Sequence, residues 1–145
     1  MTQSAKELVR IWFEQVWNQS NRGFIADMLT PETVFHDAGS TSIGIEAFET
    51  YYDRLRASLS EIHVDVEDIL VEEDKVCVRW TSSAIHTGDG LGISPTNAAI
   101  HVTGMSLIRI ADGKFVEAWQ NWDQAGLMAQ IHDHATLPAS VKGLA

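Results

Sequence analysis

Residues 98–123, AAIHVTGMSLIRIADGKFVEAWQNWD, decide the fold class of this 145-residue chain. Apolar residues recur at alternate positions on both sides of Asp112-Gly113, a pair that is typical of short β-hairpin turns. The stretch therefore predicts two long antiparallel strands, over residues 98–110 and 115–122. Both are long enough to form the centre of a sheet.

The residues before this hairpin predict more strands and, further upstream, helices. Alternating apolar residues predict strands over 62–71 and 76–84, with a turn at 72–75 between them. Apolar residues spaced three and four positions apart predict the helices. A capping box at Ser4 and Glu7 marks the start of the first helix. The predicted helices cover 4–17, 21–29, 45–59 and 125–131, and a brief strand covers 33–36.

Helices followed by a run of antiparallel strands predict an α+β fold. We expect the N-terminal helices to pack on a strongly curved mixed or antiparallel sheet, which makes a cone-shaped barrel with an apolar interior. A single domain is expected over 1–145, with its core at about 5–131 and a short tail at 132–145.

Composition and charge exclude several function classes. Twenty Asp and Glu against ten Lys and Arg give a formal net charge of −10, which disfavours binding to nucleic acid or to an anionic membrane surface. No apolar run has transmembrane or signal-peptide character. The one cysteine, Cys77, lies in an apolar run and suits a reducing cytoplasm.

Two titratable side chains of the long strands are candidates for acid–base chemistry. Strict alternation puts Asp123 on the same face as Trp119, and if that face is inward, lost hydration raises the proton affinity of the carboxylate. The same counting brings His101 near Asp123. Spacing leaves open the alternative that Asp123 caps a helix starting near Gln124 and that His101 is a packing residue.

Loop and aromatic residues are candidates for ligand contacts. His36, Asp37 and His86 lie in or beside loops where a cavity could open, and five tryptophans are available to line a pocket or to build core and interfaces. No metal-ligand spacing, dinucleotide or phosphate loop, or nucleophilic-serine motif occurs, so no metal and no cofactor are expected.

The segment 112–127, DGKFVEAWQNWDQAGL, resembles the closing strand, catalytic aspartate and helix start of the SnoaL-like polyketide cyclases (ester cyclases), a family of the nuclear transport factor 2-like superfamily. His36-Asp37, the helix entry 44–48, His86 and the segment 92–96 also match. Residues 97–99, Asn-Ala-Ala, differ from relatives, which tend to have a glycine and a basic residue there.

The resemblance implies an α+β barrel, a homodimer, and a pocket inside the cone. It also implies that Asp123 is the acid–base residue, assisted by His101, in an intramolecular aldol cyclisation without cofactor. The partner would be a small hydrophobic carbonyl-containing substrate. We expect this substrate to contact the following residues: Trp119, His36, Asp37, Trp12, Tyr51, Arg79 and His86.

Two alternatives to the cyclase stay open. The first is an epoxide hydrolase of the same superfamily. Such enzymes have an Asp-Arg-Asp arrangement with an Arg-x-Asp pair on one strand, whereas here Thr81 stands two residues after Arg79 in place of the aspartate. The second is a non-catalytic module that binds a small molecule or only dimerises. In that case Asp123 and His101 are structural residues.

Overall fold

The N-terminal helix begins where its capping box predicts. The structure, a computed structural model, describes residues 4–37 and 39–135. The Ser4 side chain accepts a hydrogen bond from the Glu7 backbone N–H at 3.2 Å, and α1 spans Ala5–Trp12. The chain continues as a π-helical segment, Phe13–Asn18.

Three further helices and six strands follow. The helices are α2 (Phe24–Met28), α3 (Ile45–Arg56) and α4 (Gln124–Ala135). The strands are β1 (Leu29–Asp37), β2 (Ser40–Ile43), β3 (Leu59–Glu72), β4 (Lys75–His86), β5 (Ala99–Ala111) and β6 (Lys114–Trp122).

The strands form one mixed sheet in the order β2-β1-β6-β5-β4-β3. β1 pairs with β6 in parallel and every other pairing is antiparallel. The α+β prediction is confirmed, and the barrel is open rather than closed, since β2 and β3 form separate edges.

Several element boundaries differ from the sequence-based expectation: β1 begins at Leu29 rather than at 33, and α3 ends at Arg56 rather than at 59. The loop expected before α3 contains strand β2, whose four residues are all exposed. The last helix runs to Ala135 instead of ending at Ile131, so the start of the expected tail is helical. The rest of that tail, residues 136–145, lies outside the described residues.

The helices pack on one face of the sheet, which we call the inner face. The main core joins Val9, Phe13 and Val16 of the N-terminal helix to strand residues such as Val78 and Phe115. A second cluster at one end of the sheet joins Leu127 and Ile131 of α4 to residues of β3, β4 and β5. The opposite face is called the outer face below.

An extra residue in β6 reverses which of its side chains face inward. Ile110 pairs with Phe115 but Arg109 pairs with Glu117, so Val116 is a β-bulge. After the bulge the side chains that line the interior are Ala118, Gln120 and Trp122. The face that Trp119 shares with Asp123 is therefore not the inner one, because strict alternation across 115–123 does not hold.

Candidate functional site

Three neighbouring cavities share one side chain, Tyr51 of α3. The aromatic chamber has a volume of about 150 Å³ and is lined by residues that include Trp12, Phe35, Asp37, Phe48, Tyr51 and Gln120. The aliphatic chamber, of about 70 Å³, includes Leu59, Ile62, Val64, Val102, Tyr51 and Trp122. The vestibule, of about 340 Å³, includes Asp37, Ser40, Arg54, Leu91, Trp122 and Tyr51.

Tyr51 reaches this junction because α3 places Phe48, Tyr51 and Leu55 on one stripe at helical spacing. The Tyr51 and Phe48 rings lie 5.8 Å apart. The Gln120 amide donates a hydrogen bond to the Tyr51 hydroxyl oxygen at 3.4 Å. A polar group is thereby held among aromatic and aliphatic walls.

Burial, and after it the negative charge of Asp37, raise the pKa of Tyr51 to about 12. The Gln120 amide and the Trp122 indole act in the opposite direction, because both stabilise negative charge on the phenol oxygen. Tyr51 is therefore a neutral phenol at physiological pH.

Trp122 brings a second polar group to the junction. Its indole nitrogen is buried, and no acceptor in the described part of the chain meets full hydrogen-bond geometry with it. The residue lines both the aliphatic chamber and the vestibule.

Asp37, at the end of β1, is the carboxylate of the site. It lines the aromatic chamber and the vestibule, and its Oδ1 accepts a hydrogen bond from the Gln124 amide at 3.5 Å. Its charge acts on the Tyr51 hydroxyl. The two groups therefore face a common space.

The neighbouring His36 links the aromatic chamber to the outer face. It lines the chamber, its ring stacks on Trp119 at 5.2 Å, and its Nε2 lies 2.8 Å from Glu117 Oε2. This contact with His36, followed by the Arg109 guanidinium, holds the pKa of Glu117 below its usual value. Glu117 and Trp119 on the outer face thus hold the His36 ring in place beside Asp37, the next residue in the chain.

Asp123 and His101 lie on the outer face and line none of the three cavities. The exposed Asp123 carboxylate accepts the Gly126 backbone N–H at 2.9 Å, so it caps α4. His101 is exposed too, and the Gln130 side chain bonds its backbone N–H and carbonyl, each at 2.8 Å. The Asp123 backbone N–H donates to the Thr103 carbonyl at 3.1 Å, two residues along β5 from His101. The roles of Asp123 and His101 as acid–base residues stay predictions.

Three other expected ligand contacts also fall outside the cavities. Trp119 stacks on His36 as described, and the exposed Arg79 pairs with Asp68 at 2.7 Å. His86 is fully buried, and its Nδ1 accepts the Thr96 backbone N–H at 3.2 Å. Burial lowers the pKa of His86, which suits a neutral ring that fastens the loop after β4.

Of the expected contact residues, four line the cavities: Trp12, His36, Asp37 and Tyr51. The sequence-based reasoning missed Gln120 and Trp122, because it followed strict alternation through β6. The available signal was the tandem of Phe115 and Val116 directly after the turn, since consecutive apolar residues at a strand start are compatible with a bulge.

Within residues 4–37 and 39–135, no three His, Cys, Asp or Glu side chains are grouped as metal ligands would be. In the same part of the chain, no helix has the length and apolar character needed to cross a membrane.

The chain belongs to the SnoaL-like polyketide cyclase family, whose model matches residues 7–131. Its fold is that of the ketosteroid isomerase and nuclear transport factor 2-like proteins. Among curated protein sequences, none matches the chain.

Three solved structures illustrate the likeness of fold. A "putative SnoaL-like polyketide cyclase" from Jannaschia sp. CCS1 is 23% identical, with a TM-score of 0.82 over 95% of this chain and 99% of that one. IdmH from Streptomyces antibioticus, a "putative polyketide cyclase", is 21% identical, with a TM-score of 0.77 over 90% and 99%. A protein from Catenulispora acidiphila with a "ketosteroid isomerase-like protein fold" is 18% identical, with a TM-score of 0.73 over 94% and 98%.

Proposed function

We propose that this protein is a cofactor-independent cyclase that closes a ring in a small, apolar, polycarbonyl compound. Family membership supports a cyclase-type function. The cavities around Tyr51 suit such a compound, because their walls are mostly apolar and a few polar groups are placed to orient carbonyl oxygens.

One observation carries the proposal: the Asp37 carboxylate and the Tyr51 hydroxyl line the same two cavities, the aromatic chamber and the vestibule. A carboxylate beside a neutral hydrogen-bond donor is the pair that proton abstraction next to a carbonyl requires. We therefore assign the general base to Asp37.

The cyclisation conserves every atom, because an intramolecular aldol addition is an isomerisation. Asp37 takes a proton from a carbon flanked by two carbonyls, and the electron pair of that C–H bond moves onto a carbonyl oxygen as an enolate. The enolate carbon attacks a second carbonyl of the same molecule, which forms the ring C–C bond and an alkoxide. The alkoxide takes up a proton, and the proton held by Asp37 returns to solvent or product. No oxidant or reductant is needed.

This assignment differs from the role that the family resemblance gives to Asp123. An exposed carboxylate that caps a helix is already engaged and faces away from the cavities. Proton transfer needs the base within hydrogen-bond reach of the substrate, and this requirement favours Asp37. Arg79 likewise lies away from the cavities, so epoxide opening by an Asp-Arg-Asp arrangement has no geometric support.

A second candidate function is a small-molecule-binding module without chemistry. The observation in its favour is that the inner-face side chains of β5 and β6 lining the cavities include no ionisable group. They are Ile100, Val102, Ser106, Ile108, Phe115, Ala118, Gln120 and Trp122.

Turnover of a linear poly-β-ketone ester by three proteins separates these possibilities. We expect Asp37→Asn to lower kcat at least ~100-fold, as general-base loss does, and Asp123→Asn to stay near wild type. Each of the two substitutions removes one negative charge, and the asparagine at position 123 can still cap α4. A large loss in Asp123→Asn alone would instead support the role given by the resemblance. Binding without turnover in the wild-type protein would support the non-catalytic module.

A further inference from the structure

We propose that the aliphatic chamber binds a saturated chain of about three carbon atoms at one end of the substrate, and that the small side chain of Ser82 sets the space for it. The inference rests on the proposed function and narrows its substrate class to a ketone with a short alkyl end. The reacting carbons of that ketone lie in the aromatic chamber or the vestibule.

The position of the proposed base decides which part of the substrate the aliphatic chamber can hold. Asp37 lines the aromatic chamber and the vestibule, and it is not among the residues that line the aliphatic chamber. A carbon that loses its proton must come within reach of the base. The part of the substrate in the aliphatic chamber is therefore a part that does not react.

The walls of the aliphatic chamber suit a saturated chain rather than further carbonyl groups. Leu55 and Leu127 come from α3 and α4, and Ile62, Val64 and Val102 come from β3 and β5. Among the residues that the structure describes, no Asp, Glu, His, Lys or Arg side chain lines this chamber. A carbonyl buried without a donor loses its hydration, whereas a buried CH₂ group gains affinity.

The volumes of the two chambers indicate how long the chain is. A protein cavity of about 150 Å³ holds one benzene ring, and the aromatic chamber has this volume. The aliphatic chamber, at about 70 Å³, is about half as large and on the same scale holds about three carbon atoms. A ring-sized group and a propyl-sized group therefore fit the two chambers together.

The space in the aliphatic chamber depends on a small residue in the middle of β4. Ser82 pairs with Val64 on one side and with Val102 on the other, and all three residues line the chamber. Trp80 and Ala84 stand two positions away along β4 and line it as well, so they share the face of Ser82. A larger side chain at position 82 would occupy the space assigned to the ligand.

The test uses phenyl alkyl ketones, in which the ring suits the aromatic chamber and the alkyl chain grows by one carbon at a time. The series is acetophenone, propiophenone, butyrophenone, valerophenone and hexanophenone, and calorimetry measures each Kd for the wild-type protein. We expect Kd to fall about fourfold with each added carbon up to butyrophenone, which has a propyl group. Beyond butyrophenone, Kd should level off or rise.

Variants of β4 test the assigned position. Ser82→Leu should abolish the gain of about fifteenfold from acetophenone to butyrophenone, because it fills the chamber. Ala84→Val narrows the same space from another position and decides the question if Ser82→Leu does not fold. Thr81→Leu is the matched control: Thr81 lines none of the three cavities, its hydroxyl donates to Glu67 at 2.8 Å, and the variant should keep the wild-type preference.

A further probe separates an alkyl occupant from a polar one that bonds the Ser82 hydroxyl. In 3-hydroxypropiophenone a hydroxyl group of similar size replaces the terminal methyl group of butyrophenone. We expect it to bind the wild-type protein at least about fivefold more weakly than butyrophenone, because the hydroxyl loses hydration in the chamber. Equal or tighter binding of the hydroxyl compound would overturn the alkyl assignment.

The remaining outcomes either support the inference or overturn it. Loss of the chain-length preference in either folded variant, with Thr81→Leu unchanged, would support it. Retention of the preference in both Ser82→Leu and Ala84→Val would overturn it, and so would a wild-type Kd that ignores chain length or keeps falling through hexanophenone. These results would leave the proposed cyclase intact, because turnover by Asp37→Asn protein decides that proposal separately. Failure of every ketone to bind would overturn the inference, and the proposed function falls with it only if the wild-type protein also fails to convert the poly-β-ketone ester.

Discussion

Replacing Gly104 with alanine should destabilise the protein, because this position has no room for a side chain. Gly104 lies in β5 directly opposite Trp80 in β4. A Cβ atom there would be 2.3 Å from Trp80 Cζ2 and 2.7 Å from Cε2 and Cη2. Carbon atoms pack at about 3.5 Å or more, so the shortest contact is too short by about 1.2 Å.

The indole cannot move aside freely. Trp80 is only 8% exposed, its ring lies 6.5 Å from that of Phe13, and its N–H donates to the Ser106 hydroxyl at 3.2 Å. Overpacking of this kind costs about 1–3 kcal/mol, and the lower chain entropy of alanine offsets about 0.5–1 kcal/mol of that cost. We expect a net loss of about 1–2 kcal/mol, which lowers Tm by roughly 3–8 °C.

Thermal unfolding followed by circular dichroism measures this loss. Gly23→Ala is the matched control, because the nearest atom to a Cβ there is 3.7 Å away and its φ of −63° suits alanine. It should stay within about 0.5 kcal/mol of wild type. In a double-mutant cycle with Trp80→Leu, the two costs should fall short of additivity by at least about 1 kcal/mol. A wild-type Tm for Gly104→Ala, or strict additivity, would refute the reasoning.

Three further predictions concern the cap, a buried histidine and a buried threonine. Asp123→Ala should lower the free energy of unfolding, measured in urea, by about 0.5–2 kcal/mol. Asp123→Asn keeps the helix cap and should stay within a few tenths of a kcal/mol of wild type. Equal losses in the two variants would contradict the capping role. Because burial lowers the pKa of His86 from 6.5, the stability linked to it is fully present above that pH and is lost as pH falls below it. The Tm difference between wild type and His86→Gln should therefore shrink between about pH 8 and pH 5, and a constant difference would contradict this cause. The fully buried Thr33 hydroxyl donates to the Phe115 carbonyl at 2.7 Å and accepts from the Thr30 N–H at 2.8 Å. Thr33→Val should therefore lower the free energy of unfolding by about 1–3 kcal/mol, whereas Thr41→Val on the exposed strand β2 should not. Similar losses in the two variants would contradict the role of the Thr33 hydrogen bonds.

Local signals in the sequence were sufficient for most elements of the fold. The capping box at Ser4 is present as a hydrogen bond, and the turn at Asp112-Gly113 joins β5 to β6 as the dipeptide predicts. Such features depend on a few neighbouring residues, so they can be predicted without knowledge of the tertiary fold. The exposed strand β2 was missed, because pairing with β1, not an apolar pattern, defines it.

The candidate site was harder to predict, because it depends on which face of the sheet is inner. One extra residue, Val116, changes the phase of β6 and moves Trp119 and Asp123 to the outer face. Strict alternation divides the residues of β5 into two groups, but periodicity alone does not say which group meets the helices. His101 belongs to the group that does not.

The most direct measurement of the site's location is the set of tryptophan indole signals in a ¹H–¹⁵N spectrum during titration with nitrobenzene. Trp122 lines two cavities, whereas Trp119 lies on the outer face beside His36. We predict a large shift of the Trp122 indole signal and almost none for Trp119, with each signal assigned by a Trp→Phe variant. A shift of Trp119 with an unmoved Trp122 signal would place ligand binding on the outer face and contradict the account.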